Sequence, residues 1–314
     1  MVTHHDVQAA ARRAAGHIRP VALAPVDEGA LGGAEGWLAL EFLQHTGSFK
    51  ARGAFNFIGS HVEAGTVPDA GVVIASGGNA GLACAWAAVR HSVTATVFVP
   101  ETAPAVKVGR LRALGAEVRQ VGREYADALD ASRKHAAETG ALESHAYDHP
   151  LIAAGAGTVM EEILRSCSDL DTVVVSVGGG GLFTGVAVSA LAHGVKVVAV
   201  EPRGARALNA ALEAGAVVDV PVDSVAADSL GARRASPMAL EWVRKDGVRS
   251  VLVSDEEIVS ARQALWDDRR IAVEHAAATA LAAVRSGAYE PGRGEKVAVL
   301  LCGANTDPGD LAHP

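Results

Sequence analysis

The sequence predicts an α/β protein whose chain forms two lobes, each a mostly parallel sheet flanked by helices. Short β-branched runs alternate with longer, alanine-rich stretches of helical spacing, and glycine-rich turns stand where strands give way to helices. Such alternation produces crossover units and parallel sheets that are buried on both faces. With 314 residues, of which 49% are hydrophobic and 20% charged, the chain can bury a large core and divide into two lobes.

The first group of elements contains three pairs, each a β-branched run followed by a helical stretch. The predicted pairs are strand 71–75 with helix 80–91, strand 94–99 with helix 104–114, and strand 117–121 with helix 125–138. A polar, proline-ended segment at 146–150 follows them. We expect a lobe boundary there, because the residue before a proline disfavours helix.

The second group repeats the alternation after residue 171. Its predicted elements are strand 172–177, a glycine turn, helix 182–192, strand 195–200, helix 205–214 and a further apolar strand at 297–301. No internal repeat or long linker interrupts either group.

Composition and charge argue against several kinds of function. The formal charge of −8 is spread along the chain, and no basic stripe offers contacts to nucleic-acid phosphates. The first residues form neither a basic nor an apolar leader, and no apolar stretch is long enough to span a bilayer. We therefore expect a cytoplasmic protein that binds neither nucleic acid nor membrane.

Cysteine and histidine spacing predicts neither disulfides nor a metal site. The three cysteines, Cys84, Cys167 and Cys302, lack paired spacing and are expected to be reduced thiols. The histidines show no His-Glu-x-x-His spacing, and His4 lies in an N-terminus that is expected to fray.

Four consecutive glycines, Gly178 to Gly181, follow the β-branched strand 172–177 and open a helix at Leu182. Backbone amides and the helix dipole converge at such a turn and suit a phosphate. The alternative is a tight structural turn, but each glycine costs about 0.5–1 kcal/mol relative to alanine in ordered structure, which favours the phosphate. The run lacks the G-x-G-x-x-G spacing of a dinucleotide site.

A second loop, Ser76-Gly77-Gly78-Asn79, also joins a strand to a helix, which begins at Ala80. Its amides and the Ser76 hydroxyl are suited to a carboxylate, and the Asn79 side chain can donate to a ligand oxygen. From spacing alone, the alternative that Asn79 only caps the helix is as well supported as the ligand-binding interpretation.

Lys50 stands behind Phe49 and a small-residue turn in an otherwise apolar stretch. A lysine held against apolar surface is desolvated toward its neutral, nucleophilic amine. This placement favours an imine-forming amine; the alternative is a solvated lysine beside a structural turn.

These three segments, in this order, closely resemble the fold type II family of pyridoxal phosphate enzymes, which has the tryptophan synthase β-like fold. Within that family the chain looks most like the catabolic serine/threonine dehydratases. Further matches run through nearly the whole chain: Thr96 to Pro100, Leu114 to Val118, Gly157 to Ile163, Val200 to Pro202, Ala277 to Val284 and Leu301 to Asn305. The resemblance implies a large cofactor-binding domain of residues 1–52 and 148–314 and a small substrate-loop domain of residues 53–147.

The resemblance also implies the cofactor, pyridoxal 5'-phosphate, and a role for each site residue. Lys50 and Ser76 are the catalytic residues; Lys50 carries the cofactor as an imine and, once released, removes the Cα proton. The other roles are these: Phe49 packs on the cofactor ring, Asn79 contacts its phenolic oxygen, Gly178, Gly179, Gly180, Gly181 and Leu182 bind its phosphate, and Ser76, Gly77, Gly78, Asn79 and Ala80 bind the substrate.

Cys302 ends the apolar strand 297–301, where a cysteine is by default a small core residue. In the family this position faces the pyridine nitrogen. A thiol cannot hold that nitrogen protonated as a carboxylate would, which favours elimination over reactions that need a long-lived carbanion.

Two departures from the family pattern bear on function. Gly77 stands where serine racemase has a serine that acts as the base on the opposite face, so racemisation is disfavoured. Glu201 and Ala205 match ligands of a divalent ion, but Ala207 replaces the third, an aspartate, which leaves a monovalent cation as the possible extra ligand. Glu201 has two other interpretations: a place beside the cofactor ring, or a strand-end carboxylate that caps the next helix.

The expected function is deaminating dehydration of L-serine, L-threonine or both, giving a 2-oxo acid and ammonia, by a homodimer. Another β-elimination or a β-replacement on the same scaffold, for example on a hydroxy-aspartate or an aryl-serine, would share every motif. A phosphate-binding protein without catalysis is the alternative from a different class, and it requires Lys50 to be incidental.

Overall fold

The computed structural model describes residues 1–27, 29–31 and 33–312. Its strands are β1 (Leu23–Pro25), β2 (Glu35–Ala39), β3 (Val72–Ala75), β4 (Ala95–Val99), β5 (Glu117–Gln120), β6 (Leu142–Glu143), β7 (Thr172–Ser176), β8 (Lys196–Pro202), β9 (Val248–Val253) and β10 (Lys296–Leu300). Its α-helices are α1 (His4–Ala14), α2 (Lys50–Glu63), α3 (Asn79–Arg90), α4 (Ala105–Ala113), α5 (Tyr125–Thr139), α6 (Pro150–Ser166), α7 (Gly181–Ala192), α8 (Ala207–Ala214), α9 (Ala227–Leu230), α10 (Pro237–Val243), α11 (Asp255–Arg269), α12 (His275–Arg285) and α13 (Gly309–Ala312). Short 3-10 turns at Glu41–Leu43 and His45–Gly47 precede α2.

The strands form two sheets, which confirms the α/β prediction. The larger has the order β1-β2-β10-β7-β8-β9, and the smaller has the order β5-β4-β3-β6. All neighbours are parallel except β1, which runs antiparallel to β2 at one edge of the larger sheet.

Burial on both faces explains why the central strands read as continuous apolar or β-branched runs. Every residue of β3, β4 and β7 is buried, as parallel sheets covered by helices require. The larger sheet and its helices enclose the main apolar core, and β3, β4 and helices α2 and α3 enclose a second core.

Helix α1 corrects the expectation of a frayed N-terminus. Thr3 and Asp6 form a reciprocal capping box that satisfies backbone amides at its start. Val7 and Ala10 are fully buried, in an apolar cluster that includes Ala153 of α6. Both features hold the first turn in place.

An ion pair network ties α2 to its surroundings. The Arg52 side chain is buried and donates through Nε to Glu41 at 2.7 Å and through Nη2 to Glu162 of α6 at 2.8 Å. It also donates to the hydroxyl of Thr158 at 3.1 Å. A buried charge is tolerated when it is paired and fully hydrogen-bonded in this way, and the pairing fixes the start of α2 against α6.

Among the described residues, no helix has both the length and the apolar character that crossing a membrane requires.

Candidate active site

The candidate site lies where the carboxyl ends of strands from both sheets are followed by loops. Parallel strands end at the same edge of a sheet, which is where open α/β sheets bind ligands. The loops after β2, β7 and β10 belong to the larger sheet, and the loop after β3 belongs to the smaller one.

The loop that carries Lys50 is fastened to the loop after β10 by backbone bonds. The amide of Phe49 donates to Cys302 at 2.9 Å, and the amide of Ala304 donates to Gly47 at 2.9 Å. Thr46 has a φ of 64°, a left-handed conformation that is rare for a β-branched residue. The fold therefore holds this loop in a strained form, as functional sites often do.

Lys50 is the first residue of α2, and its side chain is half-buried. Its Nζ donates to the carbonyl of Ala146 at 2.6 Å and lies 4.9 Å from the centroid of the Phe49 ring. Burial lowers the pKa of Lys50 to about 8, against the opposing effects of Cys302 and Glu274. A larger share of this amine is therefore neutral near physiological pH than in an exposed lysine.

The glycine turn between β7 and α7 presents unused donors. None of the amides of residues 178–182 donates to an acceptor in the part of the chain that the structure describes. Most of this turn is buried, and unpaired buried amides are rare in native proteins. The turn opens a helix, so these amides and the helix dipole favour an anion there.

Packing also restricts the glycine run. A Cβ on Gly179 would lie 2.3 Å from ring atoms of Tyr147, and one on Gly180, whose φ is 98°, would lie 2.3 Å from Cβ of Ala239. The glycines are therefore required by tight packing, and the phosphate interpretation of the run stays a prediction, for which the unpaired amides provide donors.

The loop after β3 places Asn79 at the centre of a polar network. Its Nδ2 donates to both carboxylate oxygens of Glu274, at 2.9 and 3.1 Å, and its Oδ1 accepts from Asn305 at 2.7 Å. The side chain makes no capping bond to α3. The capping interpretation of Asn79 is therefore wrong, and its amide group is held toward the loop after β10.

The remaining residues of the predicted substrate loop are half-buried, and there is free space beside Gly77 and Gly78. The Ser76 hydroxyl accepts from the amide of Gly78 at 3.3 Å. A Cβ on Gly77 would meet only Val99, at 3.4 Å, and one on Gly78 would meet nothing within 4 Å. Ala80 lies in the first turn of α3 and is half-buried. Ser76 and Lys50 share no direct hydrogen bond among the described residues.

Cys302 follows β10, next to the glycine turn. It is 5% exposed, and its Sγ lies 3.5 Å from the hydroxyl of Ser176, the last residue of β7. Burial raises the pKa of Cys302 to about 12, so the group is a neutral thiol at physiological pH. Leu182 is also buried and packs in the main core, at the start of α7.

Sequence reasoning missed Glu274, the N-cap residue of α12. It is 6% exposed and accepts from the Ser229 hydroxyl at 2.7 Å and from the amide of Asn305 at 2.8 Å, besides Asn79. An isolated glutamate before an alanine-rich helix has the pattern of an ordinary helix start, so the sequence carries little signal for this position.

The segment expected to mark the lobe boundary also belongs to the site. Ala146 accepts the Lys50 bond, and Tyr147 covers Gly179. His145 accepts at Nδ1 from the amides of Tyr147 and Asp148, at 3.2 and 2.8 Å, which holds the segment in a turn. Burial lowers the pKa of His145, consistent with a neutral ring that accepts at Nδ1.

The contacts of Glu201 support its interpretation as a strand-end residue that caps the next helix, α8. It is fully buried, and its two oxygens accept from the amides of Leu208 and Asn209, each at 2.7 Å. Burial raises the pKa of Glu201 to about 8, although both amide bonds favour the charged form. Both oxygens of its carboxyl group are therefore occupied by amides of the first turn of α8.

Comparison with known proteins agrees with this geometry. The profile of the family described as "Pyridoxal-phosphate dependent enzyme" matches residues 15–303. The chain is 37% identical to a serine dehydratase-like protein of Mus musculus, across 86% of this chain and 84% of the relative. It is 34% identical to an L-threonine ammonia-lyase of Thermotoga maritima, across 98% and 76%. It is 37% identical to a phenylserine dehydratase of Ralstonia pickettii, across 87% and 84%.

Solved structures show the same fold. Maize serine racemase superposes with a TM-score of 0.91 at 29% identity, covering 99% of this chain and 96% of the racemase. A threonine deaminase isoform from Solanum lycopersicum superposes with a TM-score of 0.88 at 27% identity, covering 99% and 92%.

Proposed function

The chain belongs to the family of pyridoxal-phosphate dependent enzymes and is an ammonia-lyase of that family, and we propose that it converts L-serine and L-threonine to 2-oxo acids and ammonia. One observation carries the proposal within this molecule. A lysine with a lowered pKa, a cradle of unpaired amides and a buried neutral thiol all lie at the ends of neighbouring strands.

These residues fit the cofactor that the family uses. The amides of residues 178–182 provide donors for its phosphate, Lys50 provides the amine for covalent attachment, and Phe49 provides a ring face. Cys302 provides a neutral partner for the ring nitrogen, and Asn79 provides a polar contact. Pyridoxal phosphate supplies the electron sink that allows a bond at the substrate Cα to break.

The protein groups then have the following roles in the proposed reaction. Ser76 and the amides of Gly77 to Ala80 hold the substrate carboxylate at the start of α3. The neutral amine of Lys50 takes the Cα proton, and the lowered pKa keeps that amine available near neutral pH. Ala146 accepts from Nζ and so orients the base. We also propose that residues 1–52 and 148–314 form the cofactor-binding domain and residues 53–147 the substrate-loop domain, in a homodimer.

The net reaction is balanced without any redox partner. L-serine gives pyruvate and ammonia, and L-threonine gives 2-oxobutanoate and ammonia, because the water lost from the side chain is replaced when the product hydrolyses. A monovalent cation is the one additional ligand that we propose, near the backbone carbonyls of Glu201 and Ala205.

Amino acids with a bulkier β-substituent form the second candidate substrate class. Similarity to a phenylserine dehydratase supports it, as does the open space beside Gly78, where an added Cβ would meet nothing within 4 Å. Side-chain selectivity depends on pocket shape, so the two classes require a direct comparison.

The test is 2-oxo acid formation by protein loaded with pyridoxal phosphate, offered L-serine, L-threonine, their D-enantiomers, phenylserine and hydroxy-aspartate. We expect pyruvate and 2-oxobutanoate from the L-forms, identified by mass spectrometry. Lys50→Ala should abolish turnover, whereas Lys134→Ala, which changes an exposed lysine of α5, should not. Normal turnover by Lys50→Ala, or a bound chromophore with no oxo acid from any substrate, would refute the proposal.

A further inference from the structure

Three potential metal ligands from three different helices meet outside the candidate active site. His4 begins α1, Glu161 lies in α6, and His193 follows the last residue of α7. Nε2 of His4 lies 2.7 Å from Oε1 of Glu161, and Nε2 of His193 lies 3.7 Å from the same oxygen. All three ligand atoms lie within 4.8 Å of one another.

This cluster is remote from the glycine turn. The turn opens α7 and His193 closes it, and a helix of 12 residues is about 18 Å long. The cluster is also open to solvent, since the exposed fraction of the His193 side chain is 43% and that of His4 is 27%. A ligand bound there would not share groups with the proposed reaction.

The surrounding structure holds two of the three groups in position. The hydroxyl of Ser189, which is fully buried in α7, donates to Oε1 of Glu161. His4 stands in the capped first turn of α1, and its ring packs edge to face against the ring of His193, with 5.0 Å between centroids. Hydrogen bonds that orient a ligating carboxylate are a common feature of metal sites.

The geometry fits a small tetrahedral cation. Zn²⁺ binds histidine nitrogen and carboxylate oxygen at about 2.0–2.2 Å, so its tetrahedral ligands lie roughly 3.3–3.5 Å apart. The 2.7 and 3.7 Å separations from Glu161 fall on either side of that range, and the two histidine nitrogens lie within 4.8 Å of each other, so modest side-chain movements would bring the three ligands around one ion. Two imidazoles and one carboxylate form a donor set typical of zinc, with the solvent side left for water.

We propose that His4, Glu161 and His193 form a zinc-binding site that fastens α1 to α6 and α7. Ion pairs of Glu161 with His4 and with His193 are the simpler alternative, and zinc binding distinguishes the two. In the zinc site all three groups are ligands, and the ion crosslinks the first helix to two helices of the main core. This inference is independent of the proposed lyase activity.

The test uses metal-free, untagged protein loaded with pyridoxal phosphate and dialysed against ZnCl₂. We expect about one zinc per chain in the wild type, measured by elemental mass spectrometry, and an increase in Tm of a few degrees. His193→Ala, at an exposed position, and Glu161→Gln should lose both effects. His5→Ala is the matched control, because His5 is an exposed histidine of the same helical turn, and it should retain both.

The outcomes separate the zinc site from the ion pair. Zinc bound equally by the wild type and by His193→Ala would place the metal elsewhere and overturn the proposal. Absence of zinc binding by the wild type, or binding only at millimolar zinc, would also overturn it and leave an ion pair. Loss of zinc in His193→Ala with an unchanged circular dichroism spectrum would support it.

Discussion

Lys50 shows how burial changes the chemistry of a single side chain. Burial lowers its pKa to about 8, so the neutral fraction of the amine increases about tenfold per pH unit below that value and levels off above it. We expect the rate at which cofactor-free protein develops its visible chromophore with pyridoxal phosphate to follow the same curve. Stopped-flow absorbance between about pH 6 and pH 10 measures this rate.

Lys50→Ala serves as the control for this measurement, since it removes the amine and should develop no chromophore. A midpoint near the ordinary lysine pKa of 10.5 would contradict the effect of burial.

Gly77 is a glycine at a position where a larger side chain would fit. A Cβ there would lie 3.4 Å from Val99, an ordinary contact, and the backbone is not left-handed. We expect Gly77→Ser to fold normally and to form D-serine from L-serine, because the family resemblance implies that a serine at this position acts on the opposite face of the substrate. Chiral chromatography of the product measures the D-serine.

Gly77→Ala separates the hydroxyl from the added bulk. It adds the same Cβ as Gly77→Ser without the hydroxyl, so it should form no D-serine. Equal amounts of D-serine from both variants would argue against this role of the hydroxyl.

The sequence signals at the residue scale were strongest where a residue type is unusual for its context. Lys50 in an apolar stretch and four successive glycines each stand out from their surroundings. Glu274 and Ala146 do not, because one resembles a helix start and the other contributes only a carbonyl. Groups of that kind become apparent only when tertiary structure brings them to the site.

The start of helix α8 depends on a residue outside the helix. Glu201, in the preceding strand β8, accepts hydrogen bonds from the first turn of α8. Glu201→Ala would leave the buried amide of Leu208 and the half-buried amide of Asn209 without acceptors, and an unsatisfied buried donor costs about 1–3 kcal/mol. We expect the free energy of unfolding to fall by about 1–3 kcal/mol, measured by urea denaturation.

Glu213→Ala is the matched control in the same helix. Glu213 forms an exposed pair with Arg206, and such pairs contribute about 0–1 kcal/mol. If both variants lost the same stability, the capping role of Glu201 would be wrong.

Element boundaries were predicted well because hydrophobic periodicity and turn residues specify them locally. The predicted helix 125–138 is observed as Tyr125–Thr139, and the predicted strand 172–177 as Thr172–Ser176. The N-terminus was expected to fray, but the Thr3–Asp6 capping box and packing of α1 against α6 hold it in place. Local patterns carry no information about such distant partners.

Asn305 connects the two sheets at the scale of the whole molecule. Its Nδ2 donates to Asn79 and to the carbonyl of Thr46, each at 2.7 Å, and its Oδ1 accepts from Arg110 of α4 at 2.6 Å. The substrate loop and α4 belong to the smaller sheet, whereas Asn305 follows β10 of the larger one. One amide group therefore joins three segments that belong to the two sheets.

Asn305→Asp keeps the shape of the side chain but removes both donors. We expect kcat/KM for L-serine to fall by about 10- to 100-fold, because Asn79 and Thr46 lose their partner. Steady-state kinetics measures the change. Arg110→Ala removes only the third bond, which Asn305→Asp retains, and should have a smaller effect. Equal losses in both variants would contradict a special role for the two bonds that Asn305 donates.

The position of β10 has a consequence for how the chain acquires its structure during synthesis. The smaller sheet is contiguous between residues 72 and 143, so a ribosome-bound chain can complete it early. The larger sheet cannot close until residues 296–300 have emerged, because β10 lies between β2 and β7. Until then β2 and β7 lack their shared partner, and such unpaired edges invite pairing with other chains. The loops bearing Lys50 and Cys302 therefore cannot be joined until the chain has emerged as far as Cys302, about 250 residues after Lys50.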